Sequence, residues 1–339
     1  MNYPKITVIT PSYNQGRFLE ATILSVINQK YPNLEYFVID GGSTDHSLSI
    51  IQYYEEAITF WISEKDKGQS DAINKGFRRA TGDIVIWLNS DDQFTPRALH
   101  KAAEYFNKYP NVFVIHGRTI LFGETIVETV RSCPQVDDLT PYYLASLPFP
   151  QPSAFFRREA ITKYGLLEQN CHYGMDYDFF LRIALNHEFM AVDDIFSKYL
   201  LHQDSKSVAF SKRFVKDYTK VFSKLLRTFP IATDTLIPAL TKFGLYEAGN
   251  DTYISSKNID LPTLHQALLL NLKYRLSFYY EDLEIAEIRK ICKFIRSFDK
   301  KFLETDPEVS AIYMRTRFLG KLPLQVLRSF KKLTSKHLS

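Results

Sequence analysis

Four short apolar runs occupy the first 90 residues, each separated from the next by a stretch long enough for one helix. This alternation limits the fold more than any other feature. The runs are Lys5–Thr10 (KITVIT), Tyr36–Ile39 (YFVI), Ile58–Ile62 and Asp83–Leu88 (DIVIWL). Between them, Arg17–Gln29 places Phe18, Ala21, Ile23, Leu24, Val26 and Ile27 at helical spacings. A second helix, with Ser43 or Thr44 as N-cap, carries Leu48, Ile51 and Tyr54, and Gln69–Ala80 reads as a third. Buried strands joined through helices predict βαβ units and a mainly parallel sheet covered on both faces. The first run begins almost at the start of the chain, so no leader is expected before it.

Further on, Ala98–Tyr109 reads as a helix, and Val112–Phe122 and Thr125–Arg131 as antiparallel strands around Gly123-Glu124. A short run at Pro152–Arg157, a helix from about Asp176 to Asn186 and two strand-like stretches ending near Leu201 follow. Beyond His202 the pattern becomes helical and basic. Ser207–Thr228 puts Phe214, Tyr218, Val221 and Leu225 on one stripe, and Leu261–Tyr280, Leu283–Phe298, Val309–Leu319 and Leu322–Ser335 read as further helices. The expected organisation is therefore an α/β domain over 1–205 and a helical basic region over 206–339.

Composition narrows the class. The chain is 45% hydrophobic and 24% charged, which excludes disorder, and no apolar run approaches the roughly 18 residues of a membrane-spanning helix. Three cysteines without CxxC spacing argue against a disulfide framework or a cysteine zinc site and fit a reducing cytosol. His116, His172 and His187 have no zinc spacing. The net charge of +4 decides nothing by itself, and the basic helices contain no recognised nucleic-acid module, so no nucleic-acid partner is expected.

In an open α/β sheet ligands bind beyond the carboxyl ends of the strands. After the four strands come Thr10-Pro11-Ser12-Tyr13-Asn14, then Asp40-Gly41-Gly42-Ser43-Thr44-Asp45, then Glu64 to Asp71, then Asn89-Ser90-Asp91-Asp92. Turn chemistry alone explains any one of these edges, but not readily all four together. There is neither a GxGxxG after the first strand nor a GxxxxGK[ST], which argues against dinucleotide and P-loop sites. The pair Asp91-Asp92 at the end of an apolar strand suits a hard divalent cation such as Mg²⁺ or Mn²⁺.

Taken in order, ITPSYNQGRFLEATILSVINQ, VIDGGSTDHS, DKGQSDAINKG and LNSDD resemble the family 2 glycosyltransferases, across most of residues 5–204. The resemblance implies a GT-A fold and sugar transfer from a nucleotide sugar with inversion. It implies that Pro11 and Tyr13 wall the nucleobase pocket, that Asp40 accepts the uracil N3–H, and that Asp66 and Asp71 hold the ribose or sugar. Asp92 would ligate Mn²⁺ or Mg²⁺, Asp91 would contact ribose or sugar, and His202 would complete the metal shell or touch the diphosphate. Asp176 resembles the family's general base, with Asp178 as fallback. Gln151-Pro152-Ser153 resembles an acceptor-side segment, and Lys206 is a candidate phosphate contact. Two departures stand out: Ile73 precedes Asn74 where relatives often have Arg, and Met175 precedes Asp176 where Glu-Asp is common.

The implied partners are a UDP-sugar donor and a saccharide or lipid-linked saccharide acceptor, in cell-surface polysaccharide or lipopolysaccharide assembly. Two other classes remain open: a nucleotide-sugar-binding protein without catalysis, and a metal-dependent nucleotidyltransferase, for which Ser12–Arg17 is a poor phosphate loop. From Arg315 on, every charged residue is basic. Leu319, Leu322, Val326, Phe330 and Leu333 fall opposite Arg317, Lys321, Arg328, Lys331, Lys332 and Lys336, as in a helix lying on an anionic membrane. The expected location is the cytoplasm, at the inner face of its membrane.

Overall fold

A computed structural model describes residues 3–123, 127–202 and 211–318, together with Pro323. The β-branched runs form β1 (Ile6–Ser12), β2 (Leu34–Asp40), β3 (Phe60–Ser63) and β4 (Ile84–Trp87). Their connecting helices are α1 (Gly16–Ile27), α2 (Ser47–Tyr53) and α3 (Gln69–Arg79). Strand β1 lies between β2 and β4, with β3 outside β2, and all three pairings are parallel. Chain order therefore reverses beside β1, and a crevice opens at such a reversal, beyond the carboxyl ends of β1 and β4.

The sheet continues with β8 (Ala154–Arg157), β6 (Val114–Phe122), β9 (Phe189–Leu200) and the short β5 (Gln93–Phe94), while β7 (Thr129–Arg131) pairs with β6. Here β4–β8, β6–β8, β6–β7 and β5–β9 are antiparallel and β6–β9 is parallel. The two strand-like stretches expected before Leu201 are a single strand, β9. Its long pairing with β6, irregular near Arg118, keeps it continuous. The expected partnership of Val112–Phe122 with the segment ending at Arg131 is present as β6–β7.

Two layers cover the parallel strands. Leu19, Ile23 and Val26 of α1 join Ile6, Val8, Val38 and Ile86 in one fully buried cluster. On the other side, Phe77 of α3 meets Trp87 and Phe156. Phe179 and Phe180 of α7 (Met175–Ala184) close over the same ring of aromatics, with Phe180 stacked 5.7 Å from Trp87. Helix α3 lies so close to β1 that a Cβ on Gly76 would come within 2.6 Å of Ile9 Cγ2, so the position needs glycine. Helices α4 (Ala98–Lys108) and α6 (Glu159–Tyr164) complete this unit.

The chain divides into two compact units, Met1–Leu139 with Leu147–Val208, and Thr140–Ser146 with Ala209–Ser339. The second holds α5 (Thr140–Ala145), α8 (Ser211–Thr228), α9 (Pro230–Lys242), α10 (Leu261–Glu281), α11 (Ile285–Phe298), α12 (Lys300–Thr305) and α13 (Pro307–Phe318). The loan of 140–146 to this unit has no counterpart in the sequence reading. The buried stripe of α8 includes Tyr218, Val221 and Leu225 as expected, and also Val215, Phe222 and Leu226. Lys206 and the terminal amphipathic segment expected over 322–335 lie outside the described residues, apart from Pro323. No helix among the described residues is long and apolar enough to cross a membrane.

At the amino end of the parallel strands, buried Glu35 accepts from Thr7 Oγ1 at 2.6 Å, from the Thr81 amide at 2.9 Å and from Thr81 Oγ1 at 2.6 Å, and pairs with Lys5 at 2.8 Å. Burial alone would raise its carboxyl. The bonds from Lys5, Thr7 and Thr81 outweigh that and bring it from 4.5 down to about 2. A folded value below the unfolded one contributes stability that is full above about pH 4.5 and is lost as pH falls toward about 2. Glu35→Gln should therefore cost on the order of 2 kcal/mol at neutral pH, discounted for the partly exposed Lys5. Urea unfolding at a series of pH values checks this: the gap between the two proteins should close between those limits.

Candidate active site

The loops at the carboxyl ends of β1 and β2 hold each other. Asp40 ends β2 with no exposure to water. Its Oδ2 accepts from the Gly42 and Ser43 amides at 3.1 and 2.8 Å and from Ser63 Oγ at 2.7 Å, and its Oδ1 from Ser43 Oγ at 2.5 Å. These four bonds match the roughly four lone-pair sites of a carboxylate. Asn14, at φ 52°, turns the β1 loop back. Its amide N–H donates to Ser43 Oγ at 2.7 Å and its Oδ1 accepts from the Thr44 amide at 2.8 Å. Asp45 accepts from the Gly16 amide at 2.9 Å and from Ser47 through both amide and hydroxyl; burial pushes its carboxyl up, and these bonds together outweigh that and bring it below the usual range.

These bonds correct one expectation. Neither Ser43 nor Thr44 caps α2, which starts at Ser47 after His46. Both are already engaged by Asn14, and Ser43 also by Asp40, while Asp45 Oδ1 receives the Ser47 amide. Tyr13 stands 59% exposed at the rim, with its ring available for stacking, whereas Pro11 is buried inside β1 opposite Ile39.

The β3–α3 loop is tied down in the same way. Asp66 Oδ1 accepts from the Gly68 amide at 2.8 Å, and its Oδ2 lies so near Gly41 that a Cβ there would approach to 2.5 Å. Asp71 accepts from the Lys67 amide at 3.2 Å and from Gln169 Nε2 at 3.0 Å. Gln69 Nε2 donates to Asn89 Oδ1 at 2.7 Å, and Asn89 Nδ2 to Asp92 Oδ2 at 3.2 Å, which links the β3 edge to the acid pair after β4.

The two acids of that pair differ. Asp92 is 1% exposed, and burial, with Asp91 beside it, holds its carboxyl well above the ordinary range against hydrogen bonds from Asn89 and the Leu200 backbone. The Asp91 side chain reaches water and meets His202 Nε2 at 3.1 Å, so the structure brings together the expected acid and histidine across 111 positions. The His202 ring leans on Phe18 at 4.8 Å between centroids. A cleft of about 300 Å³ opens beside it, lined by His202, Asn14–Phe18 without Gly16, and Asp45 with His46. Among the described residues no three His, Cys, Asp or Glu side chains are grouped to hold a metal ion.

Helix α3 also reaches the segment before α7. Asn74 is buried and makes two bonds to Leu167, donating through Nδ2 to its carbonyl and accepting through Oδ1 from its amide, both at 2.9 Å. Ser70 Oγ lies 2.8 Å from Met175 Sδ. Asp176, in the first turn of α7, is partly exposed, and its Oδ1 accepts the Tyr177 amide at 2.8 Å. Asp178 is 3% exposed and paired with Arg182 at 2.9 Å, and Arg182 also donates to the Tyr164 and Leu166 carbonyls. Gln151 and Ser153 face inward: Gln151 donates to the Trp87 carbonyl, and Ser153 shares a buried hydroxyl cluster with Thr119 and Ser197.

Sequence reasoning assigned no role to Asn14, Asp45, Gln69, Asn74 or Asn89. All but Asp45 are amides within the quoted motifs, and a short amide or acid between a strand end and a helix is the available signal for such loop ties.

Comparison with known proteins fits this architecture. The family model described as Glycosyl transferase family 2 matches residues 7–167. An uncharacterized glycosyltransferase of Mycobacterium tuberculosis is 32% identical over 187 residues, covering 54% of this chain and 70% of the relative. One of Nostoc is 34% identical over 169 residues, covering 47% of this chain and 52% of the relative, so the match spans about half of that protein. Among solved structures, S. aureus TarS 1-349 in complex with UDP-GlcNAc is similar at a TM-score of 0.58 and 16% identity, covering 88% of this chain and 82% of that one. The mannosyltransferase PcManGT from Pyrobaculum calidifontis, in complex with GDP-Man and Mn²⁺, is similar at 0.53 and 17%, covering 94% and 88%. At these identities the structural likeness is one of fold. The extent of the Mycobacterium match, together with the family match over the strand edges that build the site, establishes that the chain belongs to glycosyl transferase family 2.

Proposed function

We propose that the chain is an inverting glycosyltransferase that moves a sugar from a UDP-sugar to a hydroxyl acceptor, with Asp176 as general base. The observation that carries this reading is the contrast within α7. Asp176 is partly open to water in the first turn, while Asp178 is buried and committed to Arg182. Inverting transfer needs one carboxylate that an acceptor can reach, to take its proton as the hydroxyl attacks the anomeric carbon. Donor and acceptor machinery are joined through α3, whose Gln69 leads toward Asp92 and whose Asn74 holds the segment preceding Asp176.

Tyr13 would stack on the nucleobase, above the buried Pro11, and for Asp40 to accept the uracil N3–H the base would displace the Ser43 hydroxyl from Oδ1. Asp66 and Asp71 would border the ribose or sugar. By donor type Asp91, Asp92 and His202, two carboxylates and an imidazole, would suit Mn²⁺ or Mg²⁺ once drawn together, and a cation would offset the burial and the neighbouring Asp91 that hold the Asp92 carboxyl high. When bound, the ion supplies positive charge against the departing diphosphate. A saccharide or lipid-linked saccharide acceptor, in cell-surface polysaccharide assembly, is supported by similarity to a candidate teichuronic acid biosynthesis glycosyltransferase of Bacillus subtilis, 36% identical over 121 residues. Presentation of that acceptor at the inner face of a membrane would suit the basic terminal segment.

Each part of this reading has its own test. Asp176→Asn should keep donor affinity within a few-fold and lower transfer by roughly 10²–10⁴. Asp178→Asn should instead lower the melting temperature, since it leaves Arg182 without its carboxylate partner. Retained transfer in the first variant moves the base elsewhere, and NMR of the new linkage should show inversion. Asp92→Asn, or chelation by EDTA, should abolish release of UDP from the donor, whereas release of pyrophosphate would point to nucleotidyl transfer. In calorimetry UDP should bind more tightly than GDP or CDP, and the preference should fall in Asp40→Asn.

A further inference from the structure

Three side chains at the start of helix α3 fasten the segment that leads into helix α7. Asn74 holds both backbone groups of Leu167, Asp71 accepts from Gln169 Nε2 at 3.0 Å, and Ser70 Oγ meets Met175 Sδ at 2.8 Å. The segment also braces itself. The Cys171 amide donates to the Glu168 carbonyl at 3.2 Å, and the Cys171 side chain is buried. Gly174, buried as well, is the N-cap of α7. The backbone is thereby held on both sides of His172. That side chain is exposed, and among the described residues no hydrogen bond, ion pair or ring contact engages its imidazole.

The ring stands over the loop between β3 and α3. His172 Nδ1 lies 3.9 Å from where a Cβ on Gly68 would sit, and no other atom of the ring comes within 4 Å of that point. Nε2 is therefore the ring nitrogen farther from the loop. Gly68 itself lies between two acids: Asp66 Oδ1 accepts its amide, and Asp71 Oδ2 accepts the amide of Lys67. Those acids border the ribose or sugar in the function proposed for this site. One turn of sequence beyond His172 comes Asp176, the candidate base, at the start of α7. Ionised, Asp66, Asp71 and Asp176 can only accept hydrogen bonds, whereas a sugar hydroxyl both donates and accepts. An imidazole N–H adds the donor that these three acids lack.

We propose that His172 is a specificity-determining residue, donating through Nε2 to a hydroxyl of the transferred sugar. The proposal rests on the UDP-sugar function argued above. An acceptor hydroxyl would offer the same chemistry, but the place of the ring over Gly68, between Asp66 and Asp71, favours the donor. Because the backbone is already held at Cys171 and Gly174, only the side-chain torsions of His172 remain to be ordered when the sugar binds.

Calorimetry on the full chain tests this with UDP and with whichever of UDP-glucose, UDP-galactose and UDP-GlcNAc the parent binds most tightly. His172→Ala should lower affinity for that UDP-sugar roughly tenfold and leave affinity for UDP unchanged. His172→Gln, whose side-chain amide can donate from near the place of Nε2, should recover most of the loss. Among deoxy analogues of the same UDP-sugar, the one lacking the contacted hydroxyl should bind equally to the parent and to His172→Ala. The residue is exposed, so the melting temperatures should match. Equal UDP-sugar affinity in the parent and His172→Ala would overturn the proposal and leave the imidazole to the acceptor. An equal loss for UDP and UDP-sugar would also overturn it, since the sugar would then not be what the ring meets. A parent that binds UDP but none of the UDP-sugars would instead overturn the transferase function on which the proposal rests.

Discussion

The carboxylate of Asp40, closed off from water at the end of β2, organises everything at the open edge of the sheet. A charge in that position is tolerable only when protein donors replace its water. Gly42, Ser43 and Ser63 supply them, and in doing so they fix the path of the β2 loop and draw the end of β3 toward it. The fixed Ser43 then receives the Asn14 amide, which sets the β1 loop and leaves Tyr13 at the rim. One buried charge thereby determines the shape of a pocket whose outer wall lies on another strand. Much of the polar sequence that marks this family in the chain therefore holds loops to one another, while Tyr13, Asp66, Asp71, Asp91, His202 and Asp176 remain at least partly exposed.

The acidic pair after β4 shows a second division of labour. Two carboxylates are adjacent in sequence, yet one is buried beneath Asn89 and the Leu200 backbone and the other faces His202. Helix α7 repeats the arrangement with Asp176 and Asp178. In both places a neighbour in sequence takes a different environment, so proximity of two acids along the chain says little about shared chemistry.

The parallel half of the sheet was legible from β-branched runs such as KITVIT and DIVIWL, because burial on both faces requires continuous apolar strands. Helices α5, α6 and α12 were not legible, since six residues give fewer than two turns of periodicity. Helix α9 was hidden by Pro238 inside it. The candidate site residues were named from ordered motifs, but which of them are exposed and which are tied into loops was not legible. Ser43 and Thr44 carry equal signals for capping a helix and for bracing a loop, and only the arrival of Asn14, some 30 positions away, decides between them.

The loan of residues 140–146 to the second unit has a kinetic consequence. Leu144 and Ala145 are fully buried there, and the Ala145 carbonyl receives its bond from Asn271, which follows 126 positions later. At ribosomal rates of 5–20 residues per second, that partner emerges roughly 6–25 s after helix α5 does. During the interval the nascent chain carries an unshielded apolar turn in the middle of an otherwise completable α/β unit. Chaperone engagement during synthesis should concentrate there, and a chain cut near residue 205 keeps that exposed turn for as long as it exists.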